Sequence, residues 1–254
     1  MMNMNKKNKL KIIVLFVSLI TVFAIYKCLS YKQDKINYIA LGDSIAEGMN
    51  SYSIVDYGYP DYISDYLNDN NKLNFYTKLF SKSGYTTNDV INDIENNKII
   101  EINNKRIYLK EALRESDLVT ITIGANNYLR GMNLDNIDEK IINIESSKKD
   151  ADKIAIEVEN TLKLIKKYAK KQIIVTGYYN PLPRLANYKS EIDEIVKYFN
   201  NKISEICEEL EINYVDIFNI FDSNNDLLPN PMNIHPSKEG YKMIAEAIIK
   251  MINS

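Results

Sequence analysis

The sequence predicts an α/β domain of three layers, in which a mostly parallel sheet of about five strands is covered by helices on both faces. Two observations carry this. From Ile36 onward, short apolar runs alternate with amphipathic stretches of helical period, the pattern of a parallel sheet whose crossovers are helices. The chain has 254 residues, 45% of them hydrophobic, enough for one substantial core and too few for two full domains.

Strands are predicted over Ile36 to Leu41, Leu73 to Leu79, Leu118 to Ile123, Gln172 to Thr176 and Asn213 to Val215. The strongest helix lies between the last two, where Ile192, Ile195, Val196, Phe199, Ile203, Ile206 and Leu210 recur at spacings of three and four residues against a charged opposite face. Ile154, Val158, Leu162 and Ile165 mark a second helix, and Tyr241, Ile244, Ala245, Ile248 and Ile252 a last one. Two polar stretches, Glu95 to Lys105 and Leu134 to Asp150, fit the sheet poorly and are expected to be peripheral insertions, the second in a position to act as a lid.

Ahead of this domain (35–254), residues 1–34 read as a basic segment, an export signal or membrane anchor, and a short linker. Lys6, Lys7, Lys9 and Lys11 precede an apolar run from Ile12 to Tyr26, after which Lys27 and Lys32 restore polarity. The run is shorter than the ~20 residues a hydrocarbon core usually demands, though flanking lysines can snorkel. No small-x-small cleavage site follows it. An uncleaved single-pass anchor is therefore favoured, with the lysine end in the cytosol and the domain outside; cleavage would make the domain a secreted one.

Composition excludes several chemistries. The net charge of −2 is spread along the chain, so no basic face suggests nucleic acid as a partner. Two cysteines, Cys28 and Cys207, cannot build a disulfide framework, and a single histidine makes a histidine-based zinc site implausible. Any metal would have to be held by oxygen ligands, and no cofactor is expected.

Chemistry is suggested at four points in order. The first strand runs into Gly42-Asp43-Ser44, followed by Ile45-Ala46-Glu47-Gly48 at a strand-to-helix turn. Ligands of open parallel sheets sit at the carboxyl ends of strands, which is where Ser44 falls. Gly84 stands just past the second strand, where a backbone donor is possible, though a loop glycine would serve equally. Gly124-Ala125-Asn126-Asn127 ends the third strand; the Asn126 amide could donate to a developing oxyanion, or the segment could be a plain turn. Asn233-Ile234-His235-Pro236-Ser237 precedes the final helix. His235 is the only imidazole in the chain, so it is the base if Ser44 is a histidine-activated nucleophile.

Taken together, these segments resemble the SGNH hydrolase family, the GDSL-type esterases and lipases, over essentially Ile36 to Ile252. The resemblance implies a flavodoxin-like sheet, a serine esterase without metal, Ser44 and His235 as the catalytic pair, and an oxyanion hole from the Ser44 and Gly84 N–H groups and the Asn126 side chain. Two departures stand out. Asn127 replaces a common Asp, and where the family often has an Asp three residues before the histidine this chain has Met232, with Asn233 one position later. The imidazole is then oriented by Asn233, by Asp222 or Asp226 from the preceding loop, or by a backbone carbonyl.

The expected substrates are small-molecule or lipid esters, including lysophospholipids, or acyl groups on envelope polysaccharide. Tyr52, Tyr57, Tyr59 and Tyr62 are candidates for lining a cleft, or simply half-buried loop tyrosines. A catalytically weak binding module on the same fold and a magnesium-dependent phosphate chemistry around Asp43 are the rival readings; the second lacks another acidic cluster at a strand end.

Overall fold

The computed structural model describes residues 16–18, 20–21, 35–130, 143–182 and 185–253, and the chain divides into two compact units, 1–35 and 36–254. In the first unit, Phe16, Val17 and Ile20 are helical and exposed. Among the described residues no helix is long and apolar enough to cross a membrane. Most of the Ile12 to Tyr26 run lies outside the described residues.

In the second unit, β1 (Ile36–Gly42), β2 (Leu73–Thr77), β5 (Leu118–Thr122), β6 (Gln172–Thr176) and β7 (Asn213–Val215) form one sheet in the order β2-β1-β5-β6-β7. Every pairing in it is parallel, as helical crossovers require. These are α2 (Tyr59–Asp69) between β1 and β2, α3 (Thr87–Glu95) and α4 (Leu109–Glu115) before β5, α6 (Ile144–Tyr168) before β6 and α7 (Lys189–Glu209) before β7. The last helix, α9 (Lys238–Ile252), packs beside α2. Short helices α1 (Ser44–Glu47), α5 (Ala125–Leu129) and α8 (Phe218–Asp222) sit in the connections.

The strands are mostly apolar because both faces of the sheet are covered, and their side chains sort by the two-residue period. Ile39, Leu41, Val119, Ile121, Ile173 and Val175 pack in the core that α3, α4, α6 and α7 complete. Tyr38, Ala40, Leu118, Ile174 and Val215 face the other way, toward α2 and α9. That second core holds a satisfied trio of hydroxyls: the buried Thr120 hydroxyl bonds the Tyr38 hydroxyl at 2.8 Å and accepts from the Tyr59 hydroxyl at 3.2 Å.

The Glu95 to Lys105 stretch is peripheral, as expected. It forms much of a separate antiparallel hairpin, β3 (Ile99–Ile102) and β4 (Lys105–Tyr108), turning on Asn103 and Asn104 with φ of 51° and 60°, the primed turn that suits strand twist. The second expected insertion is corrected in part. From Ile144 onward it is the first turns of α6, capped by the Asn143 side chain accepting from the Ser146 N–H at 2.9 Å; residues 131–142 lie outside the described residues, and the lid expectation with them.

Chain order places the site. From β1 the chain moves to one side for β2 and then crosses to the other for β5, so the helical connections diverge above the carboxyl ends of β1 and β5 and leave a crevice.

Candidate active site

Ser44 occupies the first position of α1, directly beyond β1, and is 7% exposed. The turn is built by its neighbours. Gly42 has φ of +126°, and a Cβ there would lie 2.0 Å from the Thr122 carbonyl oxygen, so only glycine lets β1 pass β5 this closely. Asp43 caps α1: its Oδ1 accepts from the Ile45 N–H at 3.0 Å and from the Thr122 hydroxyl at 3.0 Å. Burial pushes the Asp43 carboxyl up to about 7.

His235 reaches Ser44 from the loop before α9, with Nε2 2.8 Å from Ser44 Oγ. On the other side of the ring, Nδ1 is 2.6 Å from Asn233 Oδ1, and the same oxygen accepts from the His235 backbone N–H at 2.9 Å. A backbone N–H can only donate, which identifies the atom facing it as the amide oxygen. Nδ1 must then carry the ring proton, leaving the Nε2 lone pair for the Ser44 hydroxyl. The Asn233 Nδ2 donates to Ser53 Oγ at 3.0 Å. Of the four orienters the sequence allowed, the structure selects Asn233: Asp222 is paired with Lys189, and Asp226 is exposed on a 3-10 turn. Met232 is 70% exposed. Burial without a carboxylate at the ring lowers the His235 pKa to about 4.

The other motif residues converge on the same end of the sheet. The loop bearing Gly84 is tied to the nucleophile turn by the Lys82 N–H donating to the Gly42 carbonyl at 3.0 Å and the Ser83 N–H donating to Glu47 Oε2 at 2.7 Å. Gly84 has φ of +80°. Asn126 Nδ2 donates to the Tyr85 carbonyl at 2.9 Å, which leaves its second amide hydrogen to give. Among the described residues, neither the Ser44 nor the Gly84 N–H meets an acceptor. Asn127 points elsewhere: its Oδ1 accepts from the Thr87 N–H at 3.1 Å and its Nδ2 donates to Thr87 Oγ1 and Glu157. An aspartate there would oppose the Glu157 carboxylate, which accounts for the amide at this position.

A cavity of about 150 Å³ lies beside Ser44 and Asn126. The four tyrosines proposed from sequence do not line it. Tyr59 is fully buried under the sheet, Tyr57 bonds Asp65 and meets Tyr62 edge-on, and Tyr52 is 79% exposed. Tyr128, Tyr178 and Tyr179 line it instead. Tyr179 also donates to the Ile234 carbonyl at 2.7 Å, steadying the residue before His235. Sequence reasoning missed Tyr178 and Tyr179, although their place directly after β6, at a strand carboxyl end, was a usable signal. Among the described residues no group of three or more His, Cys, Asp or Glu side chains is placed to hold a metal ion.

This architecture has counterparts among solved structures. The lipase Lip_vut3 from a goat rumen metagenome superposes with a TM-score of 0.65 at 19% identity, covering 84% of this chain and 95% of its own. An extracellular lipase from Streptomyces rimosus gives 0.63 at 17% identity, covering 84% and 98%, and a catalytic mutant of the acetylxylan esterase Axe2 from Geobacillus stearothermophilus gives 0.61 at 21%, covering 87% and 95%. At these identities the likeness is one of fold. No curated protein matches the sequence. The family model of the GDSL-like lipases and acylhydrolases matches residues 40–243, a span that contains Ser44, Gly84, Asn126 and His235, and the chain therefore belongs to that family of esterase- and lipase-type hydrolases.

Proposed function

We propose that this protein hydrolyses carboxylic esters of acyl lipids, lysophospholipids or short-chain acids through a Ser44–His235 pair. The Nε2 to Oγ distance of 2.8 Å, with the ring proton held on the far nitrogen by Asn233, carries the reading. Nε2 takes the Ser44 proton as Oγ attacks the ester carbonyl. The Ser44 and Gly84 N–H groups and the free hydrogen of Asn126 receive the developing oxyanion. Imidazolium then returns the proton to the leaving alcohol, and water repeats the cycle on the acyl-serine to release the acid. The basic residues and apolar run at the N-terminus support placing this activity at the outer face of a membrane.

A second reading has the same chemistry removing acetyl groups from envelope polysaccharide, and the similarity of fold to acetylxylan esterases favours it. A fluorophosphonate probe followed by peptide mass spectrometry tests the reading common to both. Adduct on Ser44, formed far more slowly in His235→Ala, is expected; a folded protein that takes up no probe at Ser44 contradicts it.

A further inference from the structure

The cavity beside Ser44 is set between the sheet and helices α6 and α7, and its far wall is Ala151, Ile154, Ile192, Ile195, Val196 and Phe199. We propose that it holds the acyl chain of the substrate, and that the preferred ester carries an unbranched chain of about six carbons, which an apolar cavity of this volume accommodates. This rests on the esterase reading above and decides within it, for a medium-chain acyl ester and against an acetylated sugar.

The wall is unsuited to a sugar ring. Most of its polar ends are already bonded within the protein: Thr122 donates to Asp43, Tyr178 to the Ile123 carbonyl and Tyr179 to the Ile234 carbonyl, and the Tyr128 and Ser147 hydroxyls pair with each other. Thr176 Oγ1, in a residue only 1% exposed, is without a partner among the described residues. The few hydroxyls left cannot satisfy the several of a pyranose, and each sugar hydroxyl buried unpaired is a net cost. A methylene chain carries no such cost and gains with every CH₂ it buries.

The reaction cycle assigns the cavity to the acyl side of the ester. The acyl group stays bonded to Ser44 Oγ from the first addition to the last hydrolysis, whereas the alcohol must leave and water must enter between the two halves. A pocket buried among helices suits the group that is retained.

The test is kcat/KM of the full chain for p-nitrophenyl esters from acetate to laurate, beside Ser44→Ala, Ala151→Phe and Val196→Phe. Ser44-dependent hydrolysis should peak near hexanoate, and either phenylalanine, by filling the cavity, should lower the hexanoate-to-acetate ratio at least tenfold. Val196 is only partly buried, whereas Ala151 is 2% exposed, so Val196→Phe is the variant that keeps the test independent of folding. Ile192→Ala, which enlarges the cavity, should move the peak to longer chains. A wild-type maximum at acetate, or a chain-length profile unmoved by Val196→Phe and Ile192→Ala, overturns the acyl pocket and leaves the esterase standing. Absence of Ser44-dependent hydrolysis of every ester overturns both.

Discussion

Asn233 presents one oxygen to two donors of His235, the ring Nδ1 at 2.6 Å and the backbone N–H at 2.9 Å. A neutral amide thus does the orienting that a carboxylate does in a Ser-His-Asp triad, but without a negative charge to stabilise imidazolium. Asn233→Asp supplies that charge at the same atom. It should raise the acid limb of the kcat/KM profile by about 1–3 pH units and increase kcat by about tenfold or more. A profile that does not move would show that Asn233 Oδ1 does not govern the imidazole.

Two buried groups give stability opposite pH dependences. The His235 pKa is lowered to about 4 from 6.5, so between those values the unfolded chain binds more protons and stability rises with pH. Asp43 is raised from 3.8 to about 7; its contribution is fully present below about pH 3.8 and is lost as pH rises to 7. Asp43→Asn removes the second effect while keeping an oxygen for the Ile45 and Thr122 donors. Thermal unfolding should show the variant gaining on the wild type from pH 4 to pH 8. A difference independent of pH would mean that Asp43 is not titrating in that range.

Adjacent asparagines should separate activity from stability. Asn126→Ala removes the proposed oxyanion donor and should lower kcat by roughly a hundredfold or more with a small change in KM. Asn127→Ala unties Thr87 and Glu157 and should lower the urea midpoint while costing kcat far less. Equal kcat losses in the two variants would contradict this division.

Gly42→Ala tests the strand crossing beneath the nucleophile. With φ at +126° and the Thr122 carbonyl oxygen 2.0 Å from the new Cβ, it should destabilise the protein by at least about 2 kcal/mol in urea unfolding. A stability within error of the wild type would contradict the close approach.

The sheet was legible because each strand is a short apolar run bounded by polar turns. Where the reading overran, at Leu79, the apolar run continues past the ladder: β2 stops at Thr77, whose hydroxyl accepts from the Leu79 N–H at 3.1 Å, and Leu79 is exposed. Ser44, Asn126 and His235 could be nominated because each lies at a strand end or in the loop before α9, and Gly84 because it stands in the loop that follows β2. The choice of Asn233 over Asp222 or Asp226 could not be made, since it rests on contacts no spacing displays: Lys189 holds Asp222, and the Asn233 amide meets Ser53 across 180 residues. The cavity wall was hidden for a similar reason: Ile192 and Phe199 have the period of any core helix, and only the spacing of α6 from α7 turns them into a pocket.

The most direct test of the central claim is hydrolysis of p-nitrophenyl hexanoate by the full chain beside Ser44→Ala and His235→Ala, each shown to be folded by circular dichroism. The account predicts turnover in the wild type and a loss of at least about a thousandfold in both variants. Wild-type turnover in a folded Ser44→Ala or His235→Ala protein would contradict it.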